Sequence, residues 1–571
     1  MHRTLAAWTG CLLMLSASWA WATGDVSAAP IRDSAQAGAP ARPPATTPAA
    51  PGTPPPYYPY PGRPNGPPGP SPPATTAPTP PPLPLADTLG AATIDVTAPV
   101  SNDTSLMGSL PDLGLPANAA VTPTDDSQIG QIELIQIRNA NLLLEDPETD
   151  DYLQQLGMRL ASQAHDDGQV FHYRAMKSDE INSFATFGGN VYIFTGLMLQ
   201  TQNEAELAAV MAHETGHVVQ HHMARDVLAQ SHMSLASTAA MLAAIVIGAA
   251  GGGGGQAIEG AIALAQATQM QRSINFTRSQ EIEADAVGIQ LLAAAGYDPN
   301  EMADFFETMY RDAGPEGEEF PLLQDHPVNS ERIAAARARA AQFPRRKSYA
   351  QSLSYAFIKE RVRVLAADPG ERVDQYYKQL RAHRPLTAAE RYGQALLQMR
   401  SGNGAEAREA VSTLRDLQAT YPELILLYTA LGQALEAAGE HHAALAQFAL
   451  SEQLFPRNVP LTIHYAQALM QVGKPAQAHQ LLLDLFNNVD PTPPQIQLTA
   501  MAASAAGDNG DAYYYMGEYN LANGQLSLAN QELELALAVP NLSDVQRQRF
   551  IARLQQVRGW MREQQQSRHG G

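Results

Sequence analysis

The pattern of hydrophobic and polar residues changes character along this chain of 571 residues, and each change marks a separate region. From Thr23 to Asp125 proline and alanine dominate, charge is sparse and no apolar period appears, which is typical of a disordered linker. Asn203 to Ser231 has the apolar spacing of an amphipathic, soluble helix. Residues 188–197, GGNVYIFTGL, predict a β-strand that ends in a turn.

A repeat begins after about Ser348, where the chain becomes rich in alanine and leucine. Pro422 and Pro456 are 34 residues apart (456 − 422 = 34), and so are Gly439 and Gly473 (473 − 439 = 34). A 34-residue period with helix–turn–helix patterning indicates tetratricopeptide repeats. The pattern also predicts the following: a unit at Tyr392–Tyr421, a unit at Tyr513–Pro540 displaced by an insert near Pro491–Pro494, and a capping helix at Arg547–Gln566.

The N-terminus has the pattern of a secretory signal peptide. Leu5 to Ala17 is mostly apolar, and Ala20-Trp21-Ala22 matches an A-x-A cleavage site. Cys11 is the only cysteine, so the mature chain would contain no disulfide. These features predict a periplasmic protein. Its expected regions are a signal peptide at 1–22, a disordered linker or tether at 23–125, a catalytic domain at 126–345 and a repeat domain at 346–566.

The stretch between residues 234 and 267 is weakly apolar and contains five consecutive glycines, Gly251 to Gly255. Its first part, 234–250, is about the minimum length that spans a bilayer. Alanine, serine and glycine make it only weakly hydrophobic, and lipid does not tolerate the backbone that a glycine run exposes. We therefore expect a helical hairpin that covers the catalytic cleft or makes peripheral membrane contact through residues 234–267.

Candidate chemistry is concentrated in the pentapeptide His213-Glu214-Thr215-Gly216-His217, an H-E-x-x-H motif. On a helix, positions i and i+4 share a face, so both imidazoles can reach one zinc ion, and the glutamate can act as general base. A catalytic zinc needs a third protein ligand. In the downstream helix Glu281 and Asp285 are i and i+4, so one carboxylate can bind the metal while the other supports a ligand. Spacing alone allows Glu283 as well as Glu281.

The order of HETGH, EIEAD and a later Asp325-His326-Pro327 with Arg332 resembles the M48 family of zinc metallopeptidases. The resemblance implies an α+β zincin-type metallopeptidase domain, mostly helical with a small β-sheet, followed by an all-α tetratricopeptide solenoid. It implies one zinc ion per chain, with His213, His217 and Glu281 as ligands and Glu214 as base. His326 is expected to occupy the fourth zinc position as a self-inhibiting switch, and Arg332 to steady the oxyanion.

Each assignment has a simpler alternative. His326 could form a structural turn before Pro327, and Arg332 could be a surface ion-pair partner. Glu283 is expected to be a solvated helix residue. His221 and His222 are expected to be ordinary polar-face residues or adventitious metal contacts.

In such peptidases a strand beside the active site holds extended substrate by backbone pairing, which suits unfolded segments.

The resemblance further implies misfolded or stalled outer-membrane β-barrel proteins as substrates, and the β-barrel assembly machinery as partner. The repeats would form a groove that binds substrate or machinery. A formal net charge of −20, from 57 acidic and 37 basic residues, disfavours nucleic acid as a partner. The alternative function is a periplasmic chaperone or adaptor whose peptidase site is normally latent.

Overall fold

The computed structural model describes residues 121–164, 168–225, 278–312, 321–367 and 372–569. The predicted signal peptide, nearly all of the predicted linker and residues 234–267 lie outside these ranges. None of the helices in the described ranges combines the length and the apolarity needed to cross a membrane.

The catalytic part contains eight α-helices within the described residues. Side-chain caps start four of these helices, since Thr122, Asp146, Asn203 and Asn329 each accept a hydrogen bond from a first-turn amide. The helices are α1 Pro123–Asn139, α2 Pro147–Ala161, α3 Thr195–Gln200, α4 Glu204–Val219, α5 Arg278–Ala295, α6 Glu301–Asp312, α7 Pro321–Asp325 and α8 Ser330–Ala340. Because α1 begins at Pro123, the last three residues assigned to the linker are helical.

A three-stranded sheet lies beside helix α4. Its strands are β1 His172–Met176, β2 Ser183–Ala185 and β3 Asn190–Phe194, in the order β1-β3-β2. Strand β3 pairs parallel with β1 and antiparallel with β2. The segment that the sequence predicts as a strand is therefore the central one, with both edges paired. Substrate pairing through β3 is excluded by this topology, and β2 is the edge strand next to α4.

Helix α4 is buried on nearly every face, which corrects the amphipathic helix predicted there. Of its residues only Val219, the last, is not buried. A helix that is surrounded by protein needs no polar stripe. Apart from Glu204 and Glu206 in the first turn, its charged and polar residues are those of the motif. His213 and His217 face helix α5, and Glu214 faces strand β2.

The repeat part consists of further helices of 11 to 26 residues. They are α9 Ser354–Leu365, α10 Val373–His383, α11 Ala388–Arg400, α12 Gly404–Thr420, α13 Ile425–Ala437, α14 His441–Leu454, α15 Val459–Gln471, α16 Pro475–Phe486, α17 Pro493–Ala506, α18 Asn509–Ala522, α19 Leu526–Ala538 and α20 Asp544–His569. Helices α11 to α20 pack as five consecutive pairs within the described residues. This confirms the tetratricopeptide-like architecture.

The insert predicted near Pro491–Pro494 is not an insert. Thr492 caps helix α17 with a capping box and Pro493 is its first residue, which is a favoured place for proline. Helix α17 begins 34 residues after α15 (493 − 459 = 34), so the period is unbroken. The helices assigned to a unit at Tyr513–Pro540 accordingly belong to two successive pairs.

Helix α9 joins the catalytic part to the repeats. Its residues Tyr355, Ile358 and Val362 belong to the catalytic core, whereas Phe357 and Val364 belong to the repeat core. Its buried Arg361 donates to the carboxylates of Asp146 and Glu148 at the start of α2 and to the Tyr392 hydroxyl of α11. The boundary at 345/346 stays a prediction, but packing is continuous across it.

Candidate metal centre

Helix α4 holds the two histidines of the motif with their ring nitrogens directed at one point. The Nε2 atoms of His213 and His217 lie 3.1 Å apart, as expected for neighbours one turn apart on a helix. Both side chains are buried. Two imidazole nitrogens that face each other in a buried site are typical of metal ligands.

Helix α5 brings Glu281 against this pair. One carboxylate oxygen lies 3.4 Å from His217 Nε2, and the other lies 3.5 Å from His213 Nε2. The two helices approach closely because Gly216 and Gly288 have no side chain: a Cβ atom on Gly216 would lie 2.8 Å from the Ala284 carbonyl oxygen, and one on Gly288 would lie 3.0 Å from the His213 backbone nitrogen. Sequence spacing allowed either Glu281 or Glu283 as the third metal ligand. In the structure Glu281 is the one that lies beside the histidines.

His326 completes the group from the opposite side. It follows α7, where its amide donates to the Leu322 carbonyl, and its Nδ1 lies 3.3 Å from His213 Nε2 and 2.9 Å from Glu281 Oε1. The residue is 3% exposed, so it is not a surface turn. Four side chains from three separate segments therefore converge, namely His213, His217, Glu281 and His326.

The spacing of these donor atoms fits a tetrahedral metal ion. Donors about 2.1 Å from a common centre at tetrahedral corners lie roughly 3.4 Å apart, and Zn²⁺ takes nitrogen and oxygen ligands in this arrangement. The separations of 2.9 to 3.5 Å described above scatter around that value. Three imidazoles and one carboxylate, all buried, are a donor set that suits a divalent cation, so the residues fit the metal.

The charges of the group also fit a cation. Burial lowers the pKa of His217 to about 3, so its imidazole is neutral as a metal ligand must be. Burial acts in the same direction on His213, but hydrogen bonds with Asp285 and Glu281 outweigh it and raise its pKa to about 10. The carboxylates of Asp285 and Glu281 thus favour positive charge at this position, as a metal cation would supply.

Glu214 lies next to the donor group with one oxygen engaged and one available. Its Oε1 accepts a 2.7 Å hydrogen bond from the Ser183 hydroxyl of strand β2 and lies 3.7 Å from His326 Nε2. Its Oε2 is buried and has no hydrogen-bond partner among the described residues. Ser183 was not among the candidate site residues that the sequence predicted. A fixed carboxylate with a free oxygen is suited to accept a proton from a bound water.

Arg332 lies behind the ligands. Its guanidinium donates to both oxygens of Asp285, lies 2.8 Å from Glu281 Oε2 and donates to the Pro327 carbonyl. Asp285 in turn lies 2.9 Å from His213 Nδ1. Arg332 is 2% exposed and is therefore no surface ion-pair partner. In this closed arrangement its contacts support the ligands, and its expected oxyanion role stays a prediction.

His222 is the residue that the sequence analysis missed. It was expected to be an ordinary polar-face residue or an adventitious metal contact, but it is fully buried, and its Nδ1 lies 3.0 Å from His217 Nδ1. Its Nε2 lies 3.1 Å from Glu283, which was expected to be solvated. The only sequence signal for this role of His222 was its proximity to the motif. Helical spacing from His217 could not predict the contact, because helix α4 ends at Val219.

A second group of potential ligands occurs in the repeats: His479, Asp508 and Asp511. Gln546 donates to both carboxylates, and Arg549 pairs with Asp511. These carboxylates already have hydrogen-bond donors and a counter-charge, so neither of them needs a metal to be satisfied.

A small sheet beside a buried H-E-x-x-H helix, with an acidic ligand candidate on the next helix, defines a metallopeptidase. Comparison with known proteins agrees. The profile of peptidase family M48 matches residues 147–340. The chain is 32% identical over 484 residues to the β-barrel assembly-enhancing protease of Escherichia coli strain K12. The match covers 83% of this chain and 96% of the relative.

Two further relatives support the same assignment. The β-barrel assembly-enhancing protease of Yersinia pestis is 30% identical over 475 residues, 81% of this chain and 96% of that protein. Metalloprotease LoiP of Escherichia coli is 31% identical over 176 residues, 30% of this chain and 64% of that protein. The chain belongs to peptidase family M48, and it is a metal-dependent endopeptidase.

Among solved structures, a crystal structure of the P58(IPK) TPR domain is similar with a TM-score of 0.15 and 14% identity. The similarity covers 64% of this chain and 99% of the chain of the P58(IPK) TPR domain. The assignment of the repeats therefore rests on the chain's own 34-residue period and its paired helices.

Proposed function

We propose that this protein is a latent zinc endopeptidase of the bacterial periplasm that cleaves misfolded or stalled outer-membrane β-barrel proteins. His213, His217 and Glu281 would hold one zinc ion, and His326 would occupy the fourth position until substrate arrives. The observation that carries the proposal is the convergence of these four buried side chains, whose donor atoms all lie within 4.8 Å of one another. A site with four protein ligands has no open position for water, which accounts for latency.

In the open state the residues of this chain would divide the work of peptide hydrolysis. Zinc, when bound, supplies Lewis acidity toward the scissile carbonyl and a water of lowered pKa. Glu214 would accept a proton from the attacking water on its free Oε2 and deliver it to the leaving amine. Ser183 holds the other oxygen of Glu214, so the carboxylate keeps its direction during both transfers.

The block by His326 would be held by a short segment around α7. The Leu322 amide donates to the Ile181 carbonyl, and the Asn182 side chain donates to Asp325 at 2.9 Å. Both partners belong to the residues that lead into β2. If an extended substrate pairs with this edge strand, it meets the same segment that anchors the block. Substrate binding and release of His326 would then be coupled.

The expected substrates follow from the names of the relatives, which are β-barrel assembly-enhancing proteases. This chain matches them over nearly their whole length. Unfolded barrel proteins offer extended strands that suit an edge strand. The repeats would bind such substrates or the assembly machinery, since stacked helix pairs usually form protein-binding surfaces. The second candidate function, a chaperone or adaptor, is favoured by the closed donor group, which leaves no room for catalysis until it opens.

Degradation of an unfolded outer-membrane barrel protein by the purified mature chain tests the proposal. The wild type is compared with Glu214→Gln and His326→Ala, and the zinc content of each is determined. Cleavage that is lost in Glu214→Gln and increased in His326→Ala, with zinc retained in both, supports the latent protease. Variants that bind zinc and the barrel protein but never cleave it would favour the chaperone.

A further inference from the structure

A buried hydrogen-bond chain leads from the proposed ligand His217 to the protein surface. His217 Nδ1 lies 3.0 Å from His222 Nδ1, and His222 Nε2 lies 3.1 Å from Glu283 Oε2. Arg225 Nη1 donates to the same carboxylate oxygen at 3.0 Å. His222 is fully buried, whereas the Glu283 side chain is 29% exposed.

The chemistry of imidazole allows this chain to run in one direction only. The Nε2 of His217 faces the donor group, so it must be unprotonated to bind a metal. The single proton of the neutral His217 ring must then lie on Nδ1. That N–H donates to His222 Nδ1, which leaves the proton of His222 on Nε2. The Nε2–H donates to Glu283, and an ionised carboxylate can only accept. Hydrogen bonding to Glu283 and metal binding by His217 therefore favour the same tautomers, with the proton on Nδ1 of His217 and on Nε2 of His222.

The backbone explains why His222 can reach back. Helix α4 ends at Val219, and His221 has a positive φ of 51°, in the left-handed region that histidine and asparagine adopt more often than most residues. This left-handed residue separates α4 from a further helical turn at 222–225, and the first side chain of that turn, His222, contacts the ligand. The contact is therefore built by a special conformation at His221 and not by helical spacing.

The arrangement parallels that of the other histidine ligand. His213 Nδ1 lies 2.9 Å from Asp285, so its outer nitrogen has a carboxylate of helix α5 as direct partner. His217 reaches a carboxylate of the same helix, Glu283, through His222. Outer partners of this kind fix the tautomer and ring orientation of a ligand.

We propose that His222 is a positioning residue of the metal site, which holds His217 in its metal-binding tautomer and is itself oriented by Glu283. The inference rests on the proposed zinc-binding function. It predicts that removal of the acceptor on His222 weakens metal binding although His222 is no ligand.

The test measures the dissociation constant for Zn²⁺ by competition with a chelator, together with the thermal unfolding midpoint with and without zinc. His222→Leu removes the acceptor. His222→Asn keeps an acceptor, because the Asn Oδ1 stands close to the position of the His Nδ1. His221→Asn is the matched control, since asparagine tolerates the left-handed conformation.

We expect His222→Leu to bind Zn²⁺ about 10–100-fold more weakly than the wild type, as is typical when an outer partner of a ligand is lost. His222→Asn should recover most of that affinity, and His221→Asn should match the wild type. The midpoints without zinc show whether a variant is folded, so a loss of fold is recognised separately from a loss of metal.

Equal affinity of His222→Leu and the wild type would overturn the inference alone. Equally weak binding by the Leu and Asn variants would also overturn it, because shape and not the acceptor would then matter. A wild-type chain that takes up no Zn²⁺ would overturn the proposed function together with the inference.

Discussion

Arg332 and Asp285 form a buried two-point ion pair behind the donor group, with Nε to Oδ2 at 2.9 Å and Nη2 to Oδ1 at 2.8 Å. The same guanidinium lies 2.8 Å from Glu281, and the same carboxylate lies 2.9 Å from His213. One ion pair therefore supports two of the proposed ligands. The planar fork of arginine is suited to this geometry, and lysine cannot reproduce it.

Substitution of this arginine should destabilise the catalytic part. Arg332→Met removes one partner of the buried ion pair and leaves His213 as the only cationic neighbour of Asp285 among the described residues, and breaking a buried pair costs about 3–5 kcal/mol. For a domain of this size the unfolding midpoint should fall by roughly 10 °C. Arg332→Lys should recover only part of the loss. Thermal unfolding of the metal-free proteins, followed by circular dichroism, gives the result. Full stability of the lysine variant would show that charge alone suffices.

Asn182 should control how often the block by His326 opens. Asn182→Ala removes the hydrogen bond to Asp325, and it also removes the one that Asn182 Oδ1 accepts from the Ser183 amide within the segment leading into β2. The bond to Asp325 contributes about 1 kcal/mol, or roughly fivefold in an equilibrium. We expect cleavage of an unfolded barrel protein to increase by about that factor, and by less than in His326→Ala. Initial rates at saturating zinc measure the effect. In the His326→Ala background the substitution should have no further effect, and an additive increase there would contradict the coupling.

Gly216→Ala should disturb the metal site through helix packing. The added methyl group would lie 2.8 Å from the Ala284 carbonyl oxygen, so helices α4 and α5 must separate. Overpacking of this kind costs about 1–3 kcal/mol. Because Glu281 is on α5 and the histidines are on α4, Zn²⁺ affinity should fall as well, which a chelator competition measures.

The matched control is Gly559→Ala in helix α20, where a Cβ atom meets nothing within 4 Å. It should stabilise its helix by about 0.5–1 kcal/mol, because alanine loses less backbone freedom than glycine. Its Zn²⁺ affinity should equal that of the wild type. Wild-type affinity in Gly216→Ala as well would mean that the site tolerates the separation of the helices.

Glu133 should make stability fall as pH rises. Burial raises the pKa of this carboxyl to about 8 from an ordinary value of 4.5, although a hydrogen bond with Thr186 lowers it slightly. Between these values the folded chain keeps a proton that the unfolded chain has lost. Unfolding therefore releases a proton, and the stability that is fully present below pH 4.5 is lost as pH rises toward 8.

Glu133→Gln should abolish this dependence because glutamine does not titrate. The midpoint of the variant relative to the wild type should increase by roughly 4 °C per pH unit between pH 5 and 8. Thermal unfolding across that range measures the difference. Asp150 titrates over the same range, with a pKa of about 8, but is present in both proteins and cancels. A constant difference at all pH values would show that Glu133 is ionised in the folded chain.

The local chemistry of this protein could be predicted from its sequence because its causes are local. His213 and His217 share a helix face through their spacing, and the separation of their Nε2 atoms follows from one helical turn. The 34-residue period was equally legible, and helices α13, α15 and α17 begin at that interval. Caps such as Thr492 mark helix starts, although the prolines beside it were mistaken for an insert.

Only the tertiary structure decided how distant segments meet. Spacing allowed Glu281 or Glu283 beside the histidines, and the packing of α5 on α4 through Gly216 selects Glu281. The edge position of β2, the all-round burial of α4 and the contact of His222 with His217 depend on neighbours that no local pattern encodes. The sequence by itself determined which groups can do chemistry, because side-chain type and helical period are local. The tertiary structure decided which of them share a site, because burial and approach depend on contacts between residues far apart in the chain.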